Sequence, residues 1–199
     1  MTEFDWEGLL KQFSRKLIAN LHERGKAEIP PEVIESGWLG YPSATEEQIT
    51  QAESRLGMTL STSYREFLKV TNGWRNSDWT EIQLWSTEEV DWFYVRNQYW
   101  IDAWSLDPDD ERPSVPDESY FIYGKEQNHL YLRCEYLQTA LEISSNSRDG
   151  DIYLLNPQII TADGEWEAWH FGNKFPGAIR YRSFYEMMQQ AVSWGAFNY

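Results

Sequence analysis

The sequence predicts an α+β domain in which helices pack against a central antiparallel sheet, preceded by a helical extension. Three observations lead there. Apolar residues recur at helical spacing near both ends of the chain, alternating apolar runs fill the middle, and Gly, Asn, Asp and Pro punctuate those runs. The order helices, strands, helix favours an antiparallel sheet over a parallel wind, and 199 residues suffice for a buried core without staples.

The first helix is expected over residues 5–24. Trp6, Leu9, Leu10, Phe13, Leu17 and Leu21 recur at three- and four-residue steps, Asp5 is placed to cap, and Gly25 with Pro30-Pro31 ends it. This divides the chain into a helical extension, residues 1–36, and a main domain, residues 37–199. A second helix opens at Thr45-Glu46-Glu47-Gln48, where Thr45 can cap the Gln48 amide while Gln48 reaches back. Ile49, Ala52 and Leu56 form its buried stripe, and Gly57 supplies a left-handed stop. A third helix, capped by Ser61 or Thr62, aligns Tyr64, Phe67, Leu68 and Thr71 and ends at Asn72-Gly73. Strands are expected at 81–85, 119–123, 130–134, 137–143, 151–155 and 166–171, with turns at Gly124, Asp149-Gly150, Asn156-Pro157 and Asp163-Gly164. Residues 88–106 have an ambiguous spacing that admits a helix. A closing helix starts at Ser183-Phe184-Tyr185-Glu186, a second capping box, and carries Phe184, Met187, Met188 and Ala191 on one face.

Composition narrows the function. A net charge of −15, from 32 acidic and 17 basic residues, repels phosphates, so no nucleic-acid partner is expected. It favours a cationic partner or plain solubility. Aromatics make up 16% of the chain and serve cores and interfaces alike. Cys134 is the one cysteine, which excludes an internal disulfide and a cysteine-based metal site. The opening residues are acidic where a secretory leader is basic, and no run approaches the ~18 apolar residues of a membrane span. A cytoplasmic protein without membrane contact is the expectation.

Catalytic constellations are weak. His22, His129 and His170 fall in three different elements, none at metal-ligand spacing. Asp149-Gly150-Asp151 lacks the remaining ligands of a calcium loop and reads as a tight turn. Cys134 sits in an alternating run as a core or near-core thiol. No phosphate loop or nucleophile elbow occurs, and among so many carboxylates an acid–base pair has no specificity. No enzyme activity, cofactor, metal or small-molecule substrate is expected.

Ordered motifs then carry a resemblance. Trp38-Leu39-Gly40-Tyr41-Pro42 leading into Thr45–Gly57, Tyr64 to Leu68, and Asn72-Gly73-Trp74 resemble the opening helices of SUKH domains. Gly150-Asp151-Ile152-Tyr153-Leu154-Leu155-Asn156-Pro157, Gly164-Glu165-Trp166-Glu167-Ala168-Trp169 and Arg180-Tyr181-Arg182-Ser183-Phe184 resemble the later segments. Ser61 departs from the proline usual before the second helix, but serine also begins helices. The resemblance implies an α+β domain without enzymatic activity. It further implies an immunity protein that neutralises a bacterial toxin, often a nuclease, or alternatively a regulatory scaffold that binds a housekeeping protein.

Charge locates a candidate interface. Between Asp78 and Glu118 twelve acids (Asp78, Glu81, Glu88, Glu89, Asp91, Asp102, Asp107, Asp109, Asp110, Glu111, Asp117, Glu118) face only Arg96 and Arg112, interleaved with aromatics. The 107–113 stretch, with two prolines, reads as an exposed loop. A nuclease toxin carries a basic surface, which acids would steer and desolvated aromatics would hold. Asp107, Asp109, Asp110, Glu111, Asp117, Glu118, Trp92 and Trp100 are therefore the candidate partner-binding residues. Trp38, Tyr64, Asn72, Gly73, Trp74, Asn156, Pro157 and Trp166 are read as structural residues of the motifs.

Overall fold

The structure, a computed structural model, describes residues 4–24, 30–75, 83–104, 114–147, 150–172 and 177–194. Its helices are α1 (Trp6–Arg24), α2 (Pro31–Ser36), α3 (Glu46–Leu56), α4 (Thr62–Val70), α5 (Phe93–Trp104), α6 (Asp117–Tyr120) and α7 (Phe184–Trp194). Its strands are β1 (Asp91–Trp92), β2 (Leu141–Glu142), β3 (Ile152–Ile160), β4 (Trp166–Gly172) and β5 (Gly177–Tyr181). They form one antiparallel meander in the order β1-β2-β3-β4-β5. Above β2, single bridges continue the sheet from Ser144 through Leu84 and Trp74 to Gly40.

Helix starts follow the capping chemistry of the sequence. Asp5 accepts from the Gly8 amide at 2.9 Å, and Thr45 with Gln48 forms the reciprocal box that opens α3. Gly57 ends α3 in the left-handed conformation (φ 74°). At α4 the cap is tertiary. Ser61 makes no side-chain cap, and the buried carboxylate of Glu165 accepts instead from the Ser63 amide at 3.0 and 3.2 Å. At α7 Ser183 accepts from the Glu186 amide, while the Glu186 carboxylate takes the Arg182 amide rather than completing a box.

The sheet is covered on both faces, which is why β4 is buried throughout. Tyr153, Leu155, Trp166, Ala168 and Tyr181 meet α1, α3, α4 and α7 in one core cluster. Ile152, Leu154, Trp169, Phe171 and Ala178 point the other way, against α5 and the 3-10 turn Cys134–Thr139. Trp6, Leu10, Phe13 and Leu17 of α1 are buried in the first cluster, Trp6 edge-on to Phe67 and Tyr185.

Several expected strands take other forms. Residues 119–123 hold the end of α6 and a turn, because Pro116 opens a helical turn at Asp117. Residues 130–134 are an irregular segment laid over the sheet, with Leu130 and Tyr131 exposed and Leu132 and Arg133 buried, so the inside–outside alternation of a strand is absent. Of 137–143 only Leu141–Glu142 is strand, after the 3-10 turn that also holds Cys134. In 81–85, Glu81 and Ile82 lie outside the described residues, and Leu84 makes isolated bridges. Asn156-Pro157 is no turn: it lies within β3, where the register shifts and the missing proline N–H is tolerated. Pro30-Pro31 ends α1's region but also begins α2, with Pro31 in its first turn. The ambiguous 88–106 stretch yields β1 and then α5.

Truncating a large buried side chain leaves a cavity that costs about 3–5 kcal/mol for Trp→Ala. Trp6→Ala is expected to destabilise the whole protein by that amount in chemical denaturation. A loss below about 1 kcal/mol would show that α1 rests on the domain without sharing its core.

Candidate protein-docking face

The two layers over the sheet differ in surface. Among the described residues nine large apolar side chains stand exposed, and seven belong to the layer running from α5 to residue 131: Tyr94, Val95, Tyr99, Phe121, Ile122, Leu130 and Tyr131. Asp102, Asp117, Glu118, Glu126 and Glu135 are exposed between them. Lys125 and Arg96 are the exposed bases of that layer among the described residues. Exposed large apolar side chains concentrated in one layer mark a candidate protein-binding surface, with the acids available as a polar rim.

This layer has little regular structure, and buried charge fastens it to the sheet. Glu167, fully buried on β4, accepts from Tyr120 Oη at 2.7 Å, Tyr123 Oη at 2.8 Å, Trp169 Nε1 at 2.6 Å and Asn156 Nδ2 at 3.3 Å. Arg180 on β5, also fully buried, faces it at 3.9 Å. The guanidinium donates to the Tyr120 carbonyl and, at 3.5 Å, to the Ile122 carbonyl, and lies 4.2 Å from the Tyr120 ring centre. Burial, then the Glu167 charge, pushes both tyrosine hydroxyls well above their ordinary range, so they remain donors. Arg133 binds the Val115 carbonyl at 2.6 and 2.9 Å and pairs with Asp117.

A second buried carboxylate holds α5. Glu142 on β2 accepts from Trp85 Nε1 at 3.2 Å, Arg96 Nη1 at 3.4 Å and Asn97 Nδ2. Asn97 is the residue at which α5 departs from helical geometry (φ −129°, ψ 32°), so the carboxylate sits at the kink. The outer edge of β5 is closed by the same layer. Ala178 N donates to the His129 carbonyl at 3.0 Å, and the Gln127 amide pairs with both backbone groups of Arg180.

The expected partner-binding residues divide. Asp117 and Glu118 are exposed on α6. Trp100 is buried, its ring 5.4 Å from Phe171, and Trp92 is half-buried in β1. Asp107, Asp109, Asp110 and Glu111 lie outside the described residues, between α5 and α6. Of the motif residues, Trp38 meets Trp74 edge-on, Tyr64 stacks on Phe67, and Trp166 is buried. Asn72 accepts from the Thr87 amide at 2.8 Å, and Gly73 (φ 97°) has Leu84 O 2.8 Å from where a Cβ would lie. Asn156 joins the Glu167 cluster. Sequence reasoning missed Tyr94, Tyr99, Phe121 and Ile122 as surface residues and Glu142, Glu167 and Arg180 as their supports. The available signal was Glu167 itself, a carboxylate at an inward position of an apolar strand.

Among the described residues no group of three His, Cys, Asp or Glu is arranged to hold a metal, and no helix is long and apolar enough to cross a membrane.

Burial raises the pKa of Glu142 above its ordinary 4.5. Folding therefore favours the protonated form more than the unfolded chain does, and the associated stability is lost as pH rises through the raised value. Relative to Glu142→Gln, the wild type should lose unfolding free energy as pH rises above 4.5 in parallel denaturant titrations. A flat or growing difference would contradict this.

A search of curated proteins finds no match to the chain. A family model described as the SMI1 / KNR4 family (SUKH-1) matches residues 43–197, from the loop before α3 through α7. That span contains the sheet, the buried carboxylates of Glu142, Glu165 and Glu167 and the aromatic–acidic layer, and the chain belongs to the SMI1 / KNR4 family (SUKH-1).

Proposed function

We propose that the protein is a non-enzymatic immunity protein that neutralises a bacterial toxin with a basic surface, docking it on the layer formed by α5, α6 and the segment to Tyr131. Membership of a family of toxin-immunity and regulatory proteins supports a protein-binding role. The observation that carries the proposal is the asymmetry of the two layers, with seven exposed apolar side chains and exposed acids on one of them.

The physics of such a complex has two parts. Acids on this layer, with Asp107, Asp109, Asp110 and Glu111 between α5 and α6, raise the encounter rate with a cation-rich surface. Exposed aromatics then supply desolvated area that slows departure. A nuclease must present positive charge where it holds its phosphodiester substrate. An acidic partner seated there competes with the substrate for the same groups.

Expression with a toxin domain, should one be encoded beside this gene, is the test. The protein should restore growth of cells that make the toxin, and reversal of Asp109, Asp110, Glu111, Asp117 and Glu118 to lysine should lower the association rate at least tenfold at low salt. Failure of the wild type to rescue any neighbouring toxin, with binding to a housekeeping protein instead, would replace immunity with the scaffold role.

A further inference from the structure

We propose that Phe121 and Ile122 are the apolar anchor that a basic protein partner buries, and that the buried Glu167–Arg180 pair presents them. The inference rests on the docking function proposed above. It adds a site that neither the acidic stretch nor the tryptophans mark.

Phe121 and Ile122 follow α6 and are 43% and 40% exposed. Two adjacent large apolar side chains on a turn would ordinarily be free to collapse or sway. The backbone that carries these is gripped from both sides. The carbonyls of Tyr120 and Ile122 are bound by one buried guanidinium, while Tyr120 and Tyr123, on either side of the pair, donate their hydroxyls to one buried carboxylate. A segment whose backbone is fixed before contact loses less freedom on binding, so more of the area its side chains bury appears as affinity.

Stability alone does not account for the grip. Burying an ion pair costs desolvation that apolar residues of similar volume would avoid. A chain that needed only a filled interior would be as well served by leucine and methionine at 167 and 180. Four donors converging on Glu167, two of them from the segment that carries the anchor, point to positioning instead.

Charge selects the occupant. Asp117 and Glu118 stand exposed just before the pair and Glu126 just after it. Against them are Lys125, Arg133, which takes up the Asp117 charge and leaves Glu118 and Glu126 as the rim acids, and Arg182, which pairs with Glu186 at 3.1 Å. The fitting surface is an apolar hollow rimmed by lysine or arginine. The acidic rim would discourage a second copy of this chain from using the same contact.

Rim and anchor should separate kinetically, because screened charge governs approach and desolvated contact governs departure. The test is surface plasmon resonance against the catalytically inactivated toxin domain encoded beside this gene. Phe121→Ser combined with Ile122→Ser is expected to raise the dissociation rate at least tenfold and leave association within twofold at every salt concentration. Tyr123→Phe, which removes one hydroxyl from Glu167 and keeps the ring, should raise dissociation severalfold with an unchanged circular dichroism spectrum. If the wild type binds and the double variant dissociates at its rate, the anchor is elsewhere although the docking function stands. If Tyr123→Phe leaves dissociation unchanged, the ion pair is structural only. A wild type that does not bind the toxin domain removes the docking function and the anchor together, and a dimer that the double variant dissolves assigns the contact to self-association.

Discussion

A carboxylate buried in the middle of a β-strand is the constraint from which one half of this molecule follows. Glu167 points to the same side of β4 as Trp169 and Phe171, where all three side chains are fully buried. An ionised group there must be matched by donors and an opposite charge. The match draws on β3 through Asn156, on β5 through Arg180 and on the α6 region through Tyr120 and Tyr123. The irregular covering segment is thereby tied to the sheet at defined atoms, where apolar contact alone would let it slide.

The two faces of the sheet thus use different physics. On one, α1, α3, α4 and α7 bury aromatic and aliphatic side chains in a continuous core, with Trp6, Tyr64, Phe67 and Phe184 in edge-on and stacked contacts. On the other, apolar packing beneath α5 gives way to charged and hydroxyl groups that hold a layer with little secondary structure. A layer fastened by a few directional bonds can leave its own apolar side chains outside. That is the arrangement a binding surface requires and a minimal core does not.

What was legible in the sequence reflects the range over which each interaction acts. The helices α1, α3, α4 and α7 were readable because spacing and caps are local, as in the Thr45–Gln48 box. The α4 cap was not, since its acceptor, Glu165, lies about a hundred residues away. β3 and β4 were readable from their apolar runs. The 119–134 region was mistaken for strands because its short apolar and aromatic runs between turn residues suit a strand as well as an irregular segment that covers a sheet. The acidic character of the docking layer was plain from composition. Which aromatics face out was not: Trp100 fills the gap against Phe171 while Tyr99 beside it stays in solvent, and residue type does not encode that choice.

The central claim is that the polar-pinned layer, and not the helical one, is the face that meets the partner. Hydrogen exchange of the protein, free and bound to the inactivated toxin domain, tests it most directly. Slowed exchange should be confined to amides of residues 93–104 and 117–131. Protection centred on α3, α4 and α7, with residues 117–131 exchanging as in the free protein, would contradict it.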